Sequence, residues 1–184
     1  MNLSLDGLMS GPRDELDWNV ESWSEEMGEK LLELLEDTDT LILGRVTYEA
    51  MAKYWTLRPL EQDFPSQDQA IADQMNRHEK IVFAGKLTRT LWDNTRVVNG
   101  DVTEEMTRLR SRHGKNILIF GSGKLVSSCI SSGLVDEYRL WIHPVLLGKG
   151  NSLFNNLKER IRLKLTNACI LNPGIALMHY QPLT

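Results

Sequence analysis

Three short apolar runs punctuate the first two-thirds of the chain, and each stops at a glycine. They are Thr40-Leu-Ile-Leu43 before Gly44, Lys80-Ile-Val-Phe-Ala84 before Gly85, and Ile117-Leu-Ile-Phe120 before Gly121. An apolar run without alternation suits a strand covered on both faces, as in a parallel sheet. Helical spacing fills the gaps. Met27, Leu31, Leu34 and Leu35 share one face of a helix whose other face carries Glu26, Glu29, Glu33 and Glu36. That carboxylate row reads as a solvated face rather than a catalytic cluster. Ser22 and Glu25 have capping-box spacing for the helix start, and Ser24 fits as well. Further helices are predicted over about 67–78 and 103–113, the second with Met106, Leu109 and Arg110 on one stripe. Arg96-Val-Val98 makes a fourth strand, with Asn99-Gly100 as its turn.

From Glu137 onward the pattern changes to alternation. The stretches 137–143, 162–166 and 175–180 each place apolar residues on one side, and Asn172-Pro173-Gly174 separates the last two as a hairpin turn. Asn2-Leu-Ser-Leu5 alternates as well and is closed by Asp6-Gly7. The architecture expected is α/β: a mixed, mostly parallel central sheet flanked by helices, with an antiparallel carboxyl-terminal hairpin. A single domain over 1–184 is expected, since the length accommodates one core and no repeat or linker interrupts it.

Composition narrows the chemistry. A formal net charge of −4 argues against a nucleic-acid groove, and no apolar run reaches the length of a membrane span. Cys129 and Cys169 lie apart in apolar surroundings and read as reduced residues of a cytoplasmic protein. The histidines at 78, 113, 143 and 179 lack metal-ligand spacing, so no metal site is expected. What remains is the pair of strand–glycine–helix corners. In Gly121-Ser122-Gly123-Lys124-Leu125 the glycines permit a tight turn and a close backbone approach, and the amides opening the next helix face an anion. Gly44-Arg45-Val46-Thr47 repeats the arrangement with a guanidinium suited to phosphate. Neither corner is a complete dinucleotide or P-loop fingerprint: Val126 stands where the first needs a third glycine, and Leu118 and Leu125 depart from the second. A plain αβ turn, and an Arg45 paired to a nearby carboxylate, are the bland alternatives.

In order, Ser4-Leu5-Asp6-Gly7, Leu16-Asp17-Trp18, Gly44-Arg45-x-Thr47-Tyr48-Glu49, Gly121-Ser122-Gly123 and Leu134-Val-Asp-Glu137 leading to Pro144-Val-Leu-Leu-Gly148 span almost the whole chain. As a set they resemble the dihydrofolate reductase-like superfamily. More closely, the chain is similar to stand-alone proteins related to the reductase domain of the bifunctional riboflavin-biosynthesis deaminase/reductase. The resemblance implies NADPH, with Gly44, Arg45, Val46 and Thr47 on one side of its pyrophosphate and Gly121, Ser122, Gly123, Lys124 and Leu125 on the other. It implies Arg45, with Lys86, as readers of the extra phosphate that separates NADPH from NADH. A small heterocycle would lie near Asp6, Trp18 and Tyr48, with Asp6 as a weak candidate proton donor, and a homodimer is expected. Related chains usually begin several residues earlier, so the first strand looks clipped.

Two positions depart from the pattern. Counting back from Gly44, the catalytic carboxylate of dihydrofolate reductase falls on Gly28, and the substrate-binding Glu of the riboflavin reductase domain falls on Ile119. The zinc-binding deaminase half is absent. The expected function is therefore an NADPH-dependent reductase of a pterin- or aminopyrimidine-like substrate, resembling 5-amino-6-(5-phosphoribosylamino)uracil reductase or dihydrofolate reductase. The alternative is a non-catalytic nucleotide- or pterin-binding dimer that keeps the fold.

Overall fold

The structure is a computed structural model that describes residues 1–61, 64–85, 87, 89–155, 157 and 159–183. In chain order its elements are β1 (Asn2–Ser4), β2 (Leu8–Ser10), α1 (Asp17–Val20), α2 (Glu25–Glu36), β3 (Thr38–Gly44) and α3 (Arg45–Leu57). There follow α4 (Ser66–Arg77), β4 (Glu79–Phe83), β5 (Thr95–Val98), α5 (Val102–Arg110), β6 (Asn116–Gly121) and α6 (Gly123–Ser131). The chain continues through β7 (Tyr138–His143), β8 (Asn151–Ser152), β9 (Leu163–Leu171) and β10 (Ile175–Pro182). Contacts gather into two compact units, Gly28–Leu125 and Met1–Met27 with Val126–Thr184.

The unit Gly28–Leu125 is built on the apolar runs. Its sheet has the order β5-β4-β3-β6 and every pair is parallel, as the lack of alternation predicts. Leu41, Ile42, Leu43, Ile81 and Val82 are fully buried. One face is covered by Leu35 of α2, Ala52 and Trp55 of α3, and Ile71, Ala72 and Met75 of α4. Burying such side chains stabilises a fold by roughly 1.5–3 kcal/mol each. The β3–β6 register shifts twice: Asp39 is the extra residue between Thr38 and Thr40, and further on Ile42 faces Ile119 but Leu43 faces Gly121, leaving Phe120 as the extra residue. The second shift brings the carboxyl ends of β3 and β6 level.

One buried residue in this unit is a lysine. Lys80 of β4 sends its Nζ to the carbonyls of Met75 and Asn76 (3.0 and 2.9 Å) in the last turn of α4. There it meets the negative end of the helix dipole and sits 4.6 Å from the centre of the Trp92 ring.

The other unit holds the alternating strands. Its sheet has the order β1-β7-β10-β9, with β1 parallel to β7 and the remaining pairs antiparallel. Trp141, Leu171, Ile175 and Leu177 pack with Met27 and the half-buried Cys169. The predicted hairpin forms at 172–174, where Gly174 takes φ of 108°. Its turn is tied by Glu26, whose carboxylate accepts from the backbone amide (2.9 Å) and side-chain amide of Asn172. Glu26 thus leaves the solvated row to which its spacing assigned it. The second strand of the antiparallel group, β9, runs over nine residues and forms one edge of the sheet. The short elements α1, β2 and β8 have no periodic signature, because two to four residues cannot display one. Among the described residues no helix is long and apolar enough to cross a membrane.

Candidate functional site

Both glycine corners lie in the unit Gly28–Leu125, at the carboxyl ends of neighbouring parallel strands. Ligands of open α/β sheets bind at such strand ends. Gly44 closes β3 and serves as the amino-terminal cap of α3 in extended geometry, φ −79° and ψ 160°. With no side chain to offer, it makes no cap hydrogen bond, and no acidic residue occupies the first turn. α1 and α4 also begin without a side-chain cap, but each has an aspartate in its first turn, and two further helices are capped. Asp101 accepts from the amide of Glu104 (3.0 Å) to cap α5, and Ser24 accepts from the amide of Met27 (3.3 Å) at the start of α2. The cap of α2 is therefore Ser24. The amino end of α3 keeps its orphan amides and positive dipole for something else. The first turn of α6, opened by Gly123-Lys124-Leu125, also lacks an acidic residue.

The two corners touch. A Cβ on Gly44 would come within 2.7 Å of Ser122 Oγ and 2.9 Å of its backbone nitrogen. On Gly121 it would come within 3.1 Å of Thr47 Oγ1. Gly121 has φ of 138°, a conformation that L side chains rarely adopt, and the Gly121–Ser122 peptide is cis. Gly44, Thr47, Gly121 and Ser122 therefore form one tightly packed patch, in which the Ser122 and Thr47 side chains lie against the buried glycines. Val46 and Lys124 are exposed beside it, whereas Leu125 is buried and offers only its backbone. Arg45 projects from the same corner and pairs with Glu49, Nη1 lying 2.8 Å from the nearer carboxylate oxygen. Lys86 lies outside the described residues.

The residues expected around a substrate fare less evenly. Tyr48 is 3 % exposed and packs in the cluster with Leu43 and Trp55. Its hydroxyl accepts from the amides of Leu91 and Trp92 (3.1 and 3.2 Å), so it anchors that segment instead of facing a substrate. Asp6, in the other unit, takes hydrogen bonds from Ser4 Oγ (2.6 Å) and from the amides of Gly148 and Leu147 (2.8 and 3.2 Å). The Ser4 hydroxyl, then the two amides, hold its carboxyl below the usual range. A carboxylate held ionised by three donors is a poor proton donor, which weighs against Asp6 in the catalytic role.

Trp18, on α1, is half-buried and meets His143 of β7 edge to face at 5.1 Å. Its Nε1 is shielded from solvent without a hydrogen-bond partner. His143 is the residue that spacing missed, because its partners come from distant points in the sequence. Its Nδ1 lies 2.8 Å from Ser22 Oγ and its Nε2 lies 3.0 Å from Asn2 Oδ1. Asn2 Oδ1 can only accept, so Nε2 carries the proton and Nδ1 accepts from Ser22. Burial, aided by the nearby amino terminus, pulls the His143 pKa down to about 4. The imidazole is thus a neutral strut that ties the segment carrying Trp18 to β7. Among the described residues no group of three or more His, Cys, Asp or Glu side chains is placed to hold a metal ion.

A parallel sheet with covering helices, joined in sequence to an antiparallel group and carrying glycine corners at its strand ends, is the dihydrofolate reductase-like α/β fold. The enzyme of that name from Enterococcus faecalis, solved with NADP(H), superposes with a TM-score of 0.63 over 100 % of this chain and 94 % of its own, at 14 % identity. The chain belongs to the RibD C-terminal domain family, whose profile covers residues 1–177. The family is reductase-like. The deaminase/5-amino-6-(5-phosphoribosylamino)uracil reductase of Thermotoga maritima superposes with a TM-score of 0.67 over 99 % of this chain and 55 % of its own, at 15 % identity. Among curated proteins, the uncharacterized YyaP of Bacillus subtilis is 32 % identical over 97 % of this chain and 90 % of its own length.

Proposed function

We propose that the protein binds NADPH across the Gly44–Thr47 and Gly121–Leu125 corners and reduces a small, flat heterocycle of pterin or aminopyrimidine type. The observation that carries this reading is the direct contact of the two corners at an uncapped helix terminus free of acidic residues. The residues fit the coenzyme: amides and a helix dipole suit a pyrophosphate, and Arg45 suits one further phosphate. When bound, the nicotinamide supplies the hydride. The chain's own part is to orient it, exclude water and hold the second ring against it. The reductase named in the Thermotoga relative supports the substrate class. With Asp6 occupied, water is the proposed proton source. We take the protein as a cytoplasmic homodimer.

A second reading is favoured by specific residues. Gly28 and Ile119 hold no carboxylate where the two reductases resembled here carry one, which fits a binder that keeps the coenzyme site without turnover. Two measurements on the free protein separate the readings. NADPH is expected to raise the melting temperature clearly more than NADH, by mass action on the native state. Consumption of NADPH with at least one pterin or aminopyrimidine in a panel then identifies the reductase, and thermal stabilisation without consumption identifies the binder. Arg45→Ala is expected to narrow the NADPH-over-NADH preference; an unchanged ratio shows that Arg45 does not read the extra phosphate.

A further inference from the structure

Arg45 already holds an anion. Its Nη1 lies 3.0 and 2.8 Å from the two carboxylate oxygens of Glu49, one helical turn further along α3. A carboxylate presents to a guanidinium much the same paired oxygens as a phosphate does. One terminal nitrogen of the guanidinium that a phosphate would use is therefore already taken by the protein's own side chain. Both partners are 48 % exposed, so the pair is weakly held and opens at little cost. Glu49 also lies beyond the first turn of α3, past the amides and the positive end of the dipole that would reward a negative charge. Its carboxylate thus adds little to the helix terminus and sets a negative charge beside the place where a second one would arrive.

We propose that Glu49 is a specificity-determining residue that competes with the extra phosphate of NADPH for Arg45. It keeps the preference for NADPH over NADH below the value Arg45 alone would give. This rests on the coenzyme site proposed above. NADH, which brings no charge to Arg45, leaves the ion pair closed.

The test is binding calorimetry on the free protein with NADPH, NADH and adenosine 2′,5′-bisphosphate, using wild type, Glu49→Gln, Arg45→Ala and the double variant. Glu49→Gln keeps the side-chain shape at an exposed position, and its melting temperature reports that it folds. The expected result is NADPH and the bisphosphate bound about twofold more tightly, the size of an exposed i,i+4 ion pair, with NADH unchanged. Most of that gain disappears in the Arg45→Ala background, since the competition needs the guanidinium. If Glu49→Gln leaves NADPH binding unchanged or weakens it while Arg45→Ala narrows the preference, Glu49 orients or ignores Arg45. The competition is then overturned and the coenzyme reading stands. If wild type prefers neither phosphate-bearing ligand, or Arg45→Ala leaves the ratio alone, the role of Arg45 itself fails and takes the inference with it.

Discussion

His143 shows how much a single residue can do without touching a reaction. It is 1 % exposed, hydrogen-bonded at both nitrogens, and titrates near pH 4 instead of the ordinary 6.5. Because the folded pKa is the lower one, the unfolded chain binds the extra proton first as pH falls, and stability is lost through that window. From about pH 7 to about pH 5 the wild type should lose about 2 kcal/mol through this group, and His143→Gln should lose correspondingly less, as read from urea midpoints. Equal slopes for the two proteins would show that the ring is not held neutral. At this scale the sequence was least legible. Asp6 and Tyr48 have side chains suited to substrate contact, yet Asp6 braces the 147–148 backbone and Tyr48 braces 91–92. Which way a polar side chain points depends on partners far along the chain, and no local pattern encodes that. Arg45 and Glu49 are the exception, since a spacing of four on one helix does encode their meeting.

Elements were easier to read, and the reason is periodicity. The buried strands β3, β4 and β6, the amphipathic helix α2 and the hairpin at 172–174 each carry enough residues to display their pattern. Lys80 breaks its strand's pattern, and the structure explains the break: the side chain crosses the core to end α4. Burial lowers its pKa to about 8, against the ordinary 10.5, although Asp93 opposes the shift. The folded state gives up its proton first as pH rises, so this group favours folding increasingly between about pH 8 and about pH 10. Lys80→Met should forgo that rise, shifting the mutant-to-wild-type stability difference by about 2 kcal/mol over the window. A difference that stays flat would mean the ammonium is hydrated. The glycine corner makes a sharper demand. Gly121→Ala places a Cβ against Thr47 at a φ disfavoured for L residues, which should cost about 1–3 kcal/mol of stability. It should also remove stabilisation by NADPH; a folded Gly121→Ala protein still stabilised by NADPH would make the corner structural only.

At the scale of the whole molecule, two kinds of hydrophobic pattern became two kinds of sheet: unbroken apolar runs an all-parallel one, alternating runs a largely antiparallel one. The order of the motifs carried the family, because five short matches in sequence are far more specific than any one of them. What composition and spacing left unread is the substrate, since Gly28 and Ile119 are departures and a departure names nothing in its place. The coenzyme is the part of the account that can be put to the most direct trial. A crystal structure of the protein with NADPH should show the pyrophosphate against the backbone amides of 45–47 and 122–125, with the extra phosphate beside Arg45. Pyrophosphate density anywhere else, with those amides facing only solvent, would contradict it.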